Sequence, residues 1–258
     1  MGRPRTRRQR RPRAVAGDRP RAQRLSRSPT IPPMSLRSAA AVASLATVAL
    51  LLGGCGSDDG ADQKSATDAG ATTSCTYAAD GSAPAKEVDP PAEDAPASGT
   101  VALTMATSVG DLGLTLDAAA APCTVNSFVS LAEQGYFDDT SCHRLTTQGI
   151  HVLQCGDPTG TGTGGPGYTI QDEVDGSESY PAGTLAMART QAPDSGGSQF
   201  FIVYGDTPLP PDYTVFGTVD DAGLKAIEKV AGAGTDEANG PGDGHPLTPV
   251  DIRSVTVG

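Results

Sequence analysis

The chain has no tryptophan, only three histidines among its 258 residues, and no long apolar run. The longest apolar stretch covers residues 39–52, which is shorter than the roughly 20 residues that a bilayer span needs. The histidines form no HExxH pattern and the five cysteines form no CxxC spacing, so the common zinc motifs are excluded. We therefore expect no transmembrane helix, no metal site and no cofactor.

Two further catalytic patterns are missing. The glycine-rich segment 159–167 lacks the Gly-Lys-Ser/Thr sequence that holds nucleotide phosphates, and we interpret it as a flexible loop. The Gly-Ser-Gln-Phe segment at 197–200 lacks the second glycine of a nucleophile elbow. The sequence therefore supports neither nucleotide binding nor serine-dependent hydrolysis.

Positive charge is scarce beyond residue 55. That part of the chain has seven Lys and Arg against 29 Asp and Glu, a formal excess of 22 negative charges. Such a surface repels phosphate backbones. We therefore expect no nucleic-acid partner for the folded part of the chain.

The N-terminal 33 residues have the opposite composition. Residues 1–33 contain eleven arginines and almost no large apolar side chains, so they cannot bury enough surface to offset chain entropy. We predict that this leader is disordered, or that translation begins at Met34 and the leader is not made. A long signal-peptide n-region, a twin-arginine signal and a basic tail remain the alternatives.

Residues 34–54 combine a short basic start, an apolar run and small residues directly before Cys55. This arrangement resembles a bacterial lipoprotein signal peptide, in which the cysteine thiol takes a diacylglycerol. The resemblance implies lipidation at Cys55, a lipid anchor to the cell membrane and an extracytoplasmic location. A transmembrane anchor is the alternative, and the length of the run argues against it.

The composition changes again at residue 100. Residues 55–99 are rich in Ala, Asp, Ser, Gly and Pro, which predicts a flexible tether with a locally ordered patch at 75–77. Beyond it, short alternating runs predict about eight strands, and two helices are predicted from Pro122 and over residues 222–230. We therefore predict one mainly β domain over residues 100–258, a closed eight-stranded antiparallel barrel capped by two α-helices.

Four cysteines remain beyond the lipidation candidate, an even number that suits disulfides in an oxidising compartment. Three sets of pairs are open in principle. We favour a bridge between Cys123, which opens a predicted helix, and Cys142. Four buried or metal-binding thiols are the alternative, although no CxxC spacing occurs.

Arg144 is the only arginine between Arg37 and Arg189, and it stands among predicted apolar strands. Taken alone, it suits a salt bridge at the rim of the barrel. The surrounding motifs give it another interpretation. They are His143-Arg144 followed by Gln154-Cys155-Gly156-Asp157, Met187-Ala188-Arg189, Gly197-Ser198-Gln199-Phe200-Phe201-Ile202 and Val215-Phe216-Gly217-Thr218-Val219. In their order and spacing across residues 100–257, these motifs resemble those of the cyclophilin-type peptidyl-prolyl cis/trans isomerases.

The resemblance implies a reaction and a set of residues. Arg144 would donate a hydrogen bond to the prolyl nitrogen in the twisted amide, and Gln154 would orient Arg144 and meet the substrate carbonyl. Proline-containing polypeptides are the implied partners, assistance to protein folding is the implied role, and we expect a monomer. The implied substrate-binding residues are His151, Val152, Gly162, Ala188, Arg189, Gln199, Phe201, Leu209 and Tyr213.

The chain departs from the family pattern in the pocket wall. His151 stands where the family has a phenylalanine, Tyr213 stands where it has a histidine, and the chain has no tryptophan for the position near Leu209. A smaller and more polar pocket would make a slower isomerase. A non-catalytic module that binds proline peptides on the same barrel, and a structural envelope lipoprotein, are the two alternatives.

Overall fold

The computed structural model describes residues 70–258. Several predictions from the sequence lie outside the described residues: the leader (1–33), the signal peptide (34–54), lipidation at Cys55 and the first part of the tether (55–69).

The described residues form fourteen strands and two helices. In chain order these are β1 (Thr72–Ser74), β2 (Tyr77–Ala79), β3 (Asp94–Pro96), β4 (Thr100–Thr107), β5 (Gly110–Asp117), α1 (Pro122–Glu133), β6 (Thr140–Ser141), β7 (Arg144–Thr146), β8 (Val152–Cys155), β9 (Tyr168–Ile170), β10 (Thr184–Met187), β11 (Phe200–Val203), β12 (Val215–Val219), α2 (Asp221–Ala233), β13 (Asp243–Gly244) and β14 (Asp251–Val257).

The longest hairpin, formed by β4 and β5, has alternating apolar and polar side chains. Leu103 and Met105 of β4 point into the core, as do Leu112, Leu114 and Leu116 of β5, because successive side chains of a strand point to opposite faces. The short strands β10 and β11 are buried on both faces. These two strands therefore lie in the middle of the domain.

Ten strands form one antiparallel sheet in the order β13-β7-β8-β11-β10-β12-β5-β4-β14-β6. The two outermost strands, β13 and β6, have only two residues each, so eight longer strands build the sheet. The chain passes directly from β6 to β7 through residues 142–143, which brings the two ends of the sheet together. The prediction of a mainly β domain with two helices is confirmed, and the closed eight-stranded barrel describes the curled ten-stranded sheet approximately.

The two helices cover the curled sheet with apolar faces. Phe128 of α1 stacks on Phe137, with ring centroids 4.8 Å apart, and meets Phe200 edge to face at 5.3 Å. In α2 the buried face is Ile227 and Val230. These contacts fix the back of β11, whose other face carries the site described below.

The N-terminus of α1 has a cap that comes from a distant loop. Pro122 occupies the first turn, and the residue before it, Ala121, provides no side-chain cap. The two carboxylate oxygens of Glu173 accept hydrogen bonds from the backbone N–H groups of Cys123 and Thr124, each at 2.9 Å. A carboxylate at this position satisfies free donors and interacts favourably with the helix dipole.

Replacing Glu173 with alanine should therefore destabilise the domain. We expect a loss of about 1 kcal/mol, which for a domain of this size lowers the melting temperature by about 2–4 °C. Thermal unfolding followed by circular dichroism measures this. Glu228→Ala, an exposed change on α2, is the matched control, and equal melting temperatures for the two variants would contradict the capping role.

The prediction of a flexible tether is wrong for residues 70–99. β1 pairs with β3, and β2 pairs with β9 of the main domain. The Tyr77 hydroxyl donates to the carbonyl of Cys123 at 3.1 Å, and Lys86 donates to the carbonyls of Gly135 and Asp138. Strands of three residues are too short to show an alternation of apolar and polar residues in the sequence. This segment is ordered by the strands with which it pairs.

The predicted Cys123–Cys142 disulfide is also wrong. Cys123 bonds to Cys75, 48 residues away, and Cys142 bonds to Cys155, 13 residues away. Cys142 lies two residues before β7 and Cys155 is the last residue of β8, so the pairing of these two strands brings the cysteines together.

Within residues 70–258, neither helix is long and apolar enough to cross a membrane.

Candidate active site

A small cavity of about 190 Å³ opens beside the paired strands β7, β8 and β11. It brings together eight of the residues that the sequence assigned to the site. The lining consists of Arg144, Ile150, Val152, Gln154, Ala188, Arg189, Phe201, Leu209 and Tyr213.

Strand register explains why these side chains share one face. Gln154 lies opposite Arg144 in the β7–β8 pair and opposite Phe201 in the β8–β11 pair. Residues directly opposite in an antiparallel pair point to the same side, and residues two apart on a strand do so as well, which adds Val152. The intervening Leu153 points into the main core.

The floor of the cavity is a second apolar cluster, separate from the main core. Val152 and Phe201 are 3% and 4% exposed. Phe201 meets Tyr213 edge to face, with ring centroids 5.5 Å apart. Tyr180, which the sequence did not assign to the site, fixes Tyr213 by accepting from its backbone N–H at 3.0 Å and donating to its carbonyl at 3.1 Å.

The guanidinium of Arg144 is held on two sides. Its Nε and Nη2 donate to the two carboxylate oxygens of Asp243 at 2.9 and 2.7 Å, and its Nη1 donates to Oε1 of Gln154 at 3.3 Å. The hydrogen bond to Asp243 raises the pKa of Arg144, and the same bond lowers the pKa of Asp243, so both groups stay charged. The Arg144 side chain is 34% exposed, which leaves part of the guanidinium accessible from the cavity.

A chain of side-chain amides continues from this pair. Nε2 of Gln154 donates to Oε1 of Gln199 at 2.9 Å, and Nε2 of Gln199 donates to the carbonyl of Gly164 at 2.9 Å. Gln154 thus links the arginine to the neighbouring groove. Its position fits the orienting role that the sequence suggested.

Asp243 is a site residue that the sequence analysis missed. It lies on the two-residue strand β13, which pairs with β7, so it reaches Arg144 across 99 positions of sequence. Asn239 donates a further hydrogen bond to Asp243 at 3.2 Å. Arg144 therefore forms a salt bridge at the rim of the barrel and also lines the cavity.

His151 does not line the cavity, contrary to its assignment from the sequence. Its Nδ1 lies 2.6 Å from the carbonyl oxygen of Asp206, and its ring packs edge to face on Tyr204. Ile150 lines the cavity in its place. The bend in the connection between β7 and β8, where the N–H of Ile150 donates to the carbonyl of Gln148, shifts which residue faces inward.

A larger cavity of about 630 Å³ adjoins the small one, and Gln154, Ala188 and Arg189 line both. Gly162 and Gln199 lie along this larger cavity and not along the small one. The two cavities together form a groove, and residues 70–99 contribute to it as well, because Asp80, Ser82, Ala83 and Ala85 are part of its lining.

Arg189 is held in place by its surroundings. Its Nε donates to the carbonyl of Asp212 at 2.6 Å, and its guanidinium lies 3.6 Å from the carboxylates of Asp172 and Asp212. It also lies over the ring of Tyr213, 5.4 Å from the ring centroid. Its charge is therefore offset locally.

The glycine-rich segment 159–167 is ordered around a buried carboxylate, so its interpretation as a flexible loop is wrong. Asp157 has no exposed surface and accepts backbone hydrogen bonds from Thr159, Gly162 and Gly164. Burial alone would raise the pKa of Asp157, but these bonds and the Thr159 hydroxyl lower it below its ordinary value. A side chain on Gly164 would place its Cβ 2.0 Å from Oδ1 of Asp157, which explains the glycine.

His143 lies beside this loop and is 8% exposed, and neither ring nitrogen has a hydrogen-bond partner within the described residues. Burial lowers its pKa below the ordinary 6.5, with opposing influence from Asp157 and further lowering by Arg144. The unfolded chain takes up the proton near pH 6.5, whereas the folded domain does so only at lower pH. This contribution to stability is therefore complete above about pH 6.5 and is lost as the pH falls below it.

We accordingly expect the melting temperature of the wild type to fall between pH 7 and pH 5, and to fall less in His143→Gln. Carboxylates contribute little in this window, because their ordinary pKa values lie near 4. Thermal unfolding of both proteins across the window measures the difference. Parallel curves would show that another group is responsible.

No group of three or more His, Cys, Asp or Glu side chains within the described residues could hold a metal ion.

The comparisons with known proteins point to one family. Residues 102–257 match the family model described as "Cyclophilin type peptidyl-prolyl cis-trans isomerase/CLD". A protein of Mycobacterium leprae (strain TN) named "Probable peptidyl-prolyl cis-trans isomerase B" is 47% identical over 196 residues, which cover 70% of this chain and 65% of the relative. A protein of the same name from Mycobacterium tuberculosis (strain ATCC 25618 / H37Rv) is 51% identical over 168 residues, which cover 60% of this chain and 54% of the relative. The chain thus spans between about half and two thirds of the length of these relatives.

Solved structures agree with the fold. A crystal structure of a Cryptosporidium parvum cyclophilin type peptidyl-prolyl cis-trans isomerase has a TM-score of 0.55 and 29% identity, and covers 62% of this chain and 98% of its own. A second structure of that protein, crystallised in the presence of the dipeptide Ala-Pro, has a TM-score of 0.54 and 30% identity, and covers 61% of this chain and 98% of its own.

Proposed function

Because the chain belongs to the cyclophilin-type peptidyl-prolyl cis-trans isomerases, we propose that it catalyses cis/trans isomerisation of Xaa-Pro bonds in polypeptides. One observation carries the proposal most directly: a fixed guanidinium, that of Arg144, stands at the rim of a small apolar cavity. The role in the cell that follows is assistance to the folding of extracytoplasmic proteins, in which prolyl isomerisation is a slow step.

The reaction needs neither a nucleophile nor a metal. Resonance across the C–N bond gives rotation a barrier of about 18–20 kcal/mol, and the barrier falls when the nitrogen becomes pyramidal and its lone pair leaves the carbonyl. A donor aimed at that lone pair stabilises the twisted amide more than either planar form. Of the five N–H groups of the Arg144 guanidinium, three are used by Asp243 and Gln154, which leaves two for the substrate.

The apolar cavity serves the proline ring. Phe201 and Val152 form its floor, and Leu209 and Tyr213 form its sides. An apolar seat excludes water around the prolyl nitrogen and so strengthens the hydrogen bond from Arg144. The amide side chain of Gln154, next to the guanidinium, is positioned to meet the carbonyl before the proline.

The proposal is tested by measuring cis/trans exchange of Xaa-Pro tetrapeptides with the full chain, by NMR exchange spectroscopy. We expect exchange much faster than the uncatalysed process, which takes tens to hundreds of seconds. An unchanged rate would reject the enzymatic proposal. Peptide binding without acceleration would then identify the chain as a proline-peptide-binding module.

We further propose that the isomerase is anchored outside the cytoplasm through a lipid on Cys55. The support is the sequence from 34 to 55, with its apolar run and small residues before the cysteine. Expression in a bacterial host, with fractionation and mass spectrometry of the N-terminal peptide, tests this. Wild type should carry diacylglycerol and enter the membrane fraction, and Cys55→Ser should lose both; a membrane fraction unchanged in Cys55→Ser would reject the lipid anchor.

A further inference from the structure

The segment 80–85, here called the flanking segment, lies outside the region that matches the family and yet borders the groove. Pairing of β2 with β9 brings it there. The backbone N–H of Asp80 donates to the carbonyl of Gly167 at 3.2 Å, and that of Ala85 donates to the carbonyl of Gly165 at 2.8 Å. Two backbone bonds thus hold the flanking segment along the ordered glycine-rich loop.

The flanking segment forms part of the wall of the larger cavity. Asp80, Ser82, Ala83 and Ala85 contribute to this wall, and the cavity meets the proline-sized cavity at Gln154, Ala188 and Arg189. A peptide whose proline occupies the small cavity would therefore place a neighbouring residue in the larger one. At about 630 Å³ the larger cavity has room for a long side chain.

Two charged side chains line this larger cavity, Asp80 and Arg189. The charge of Arg189 is offset by the carboxylates of Asp172 and Asp212, each 3.6 Å away, and its side chain is 13% exposed. Asp80 is exposed, and its Oδ1 accepts from the backbone N–H of Ser82 at 2.7 Å. Within the described residues no hydrogen bond reaches its Oδ2, which leaves this oxygen for a ligand.

We propose that the flanking segment is a specificity element of the groove, in which Asp80 selects a lysine or arginine next to the Xaa-Pro pair. The inference rests on the proposed function, since it concerns the peptides that the isomerase prefers. The chemistry is that of an exposed ion pair, which is modest in strength and weakened by salt. The ligand is a basic side chain of a polypeptide substrate.

The test compares otherwise identical Xaa-Pro peptides that carry Lys, Gln or Glu at each of the three positions on either side of the pair. At low ionic strength we expect one position at which the full chain shows a kcat/KM about threefold or more higher for Lys than for Glu, and a ratio near one at 1 M salt. Asp80→Asn, which keeps the acceptor for Ser82, should lower that ratio toward one, and Asp80→Lys should invert it.

Asp94→Asn is the matched control, because Asp94 lies on β3 in the same N-terminal part, is exposed, and does not line the groove. This control should keep the Lys preference. Equal kcat/KM values for all peptides, or a preference that Asp80→Asn retains, would overturn the inference while leaving the isomerase proposal intact. Absence of catalysis with every peptide would instead reject the proposed function itself.

Discussion

Replacing Arg144 with alanine is expected to lower kcat/KM for Xaa-Pro exchange about a hundredfold or more, the usual loss when one well-placed donor to a transition state is removed. The loss should fall mainly on kcat, because the hydrogen bond forms with the nitrogen only as the amide twists. Peptide affinity should change less, since the apolar floor at Phe201 and Val152 remains. NMR exchange rates together with peptide titrations separate the two effects.

Two further variants make the result specific. Arg144→Lys keeps the charge but has no planar fork for Asp243 and Gln154, so we expect it to recover little of the lost rate. Arg253→Ala removes an exposed arginine of β14 and should leave the rate unchanged. Full activity in Arg144→Ala would disprove the mechanism even with the isomerase activity established.

Asp243→Asn should lower kcat on the order of tenfold with little change in KM, because a small misplacement of a catalytic group costs rate more than affinity. Asp243 fixes two of the three guanidinium nitrogens, and this lets the third reach Gln154. The asparagine keeps the shape but loses the paired carboxylate oxygens and the charge. Asp243 is in this sense a positioning residue for Arg144.

The split between kcat and KM distinguishes this role from general stabilisation of the loop. Asp221→Asn, a change of the same chemistry on α2, is the control and should leave both constants unchanged. A partial return of kcat in Asp243→Glu would support the ion pair. A faster enzyme in Asp243→Asn would show that the carboxylate restrains the arginine, and would contradict the positioning role.

The predicted site residues that the structure brings together lie mainly on strands with a clear register. Arg144 and Gln154 are ten positions apart on the arms of one hairpin, and Phe201 lies on the strand next to them. Motifs on adjacent paired strands keep their relative positions, so the resemblance to the family predicts which of their residues lie close together. Ala188 directly follows β10, and Leu209 and Tyr213 lie in the connection between β11 and β12.

The parts that sequence reasoning missed depend on contacts between distant segments. Nothing local in residues 70–99 indicates that β2 adds to β9 or that Cys75 reaches Cys123. The pairing of Asp243 with Arg144 spans 99 positions, and the only local hint is a run of glycines around Asp243, typical of a tight turn. Ile150 lines the cavity in place of His151 because the chain bends between β7 and β8. Such a bend interrupts the alternation of inward and outward side chains from which strand residues are assigned to a face.

The two disulfides make the domain dependent on the redox state of its compartment. In the loop-entropy account, closing loops of 48 and 13 residues removes conformational freedom from the unfolded chain worth about 4 and about 3 kcal/mol, comparable to the whole net stability of many domains. The bond between Cys142 and Cys155 also adjoins Arg144 and Gln154, so it limits the motion of both before any peptide arrives. Under the proposed function, the isomerase would itself reach its most stable form after these four cysteines are oxidised.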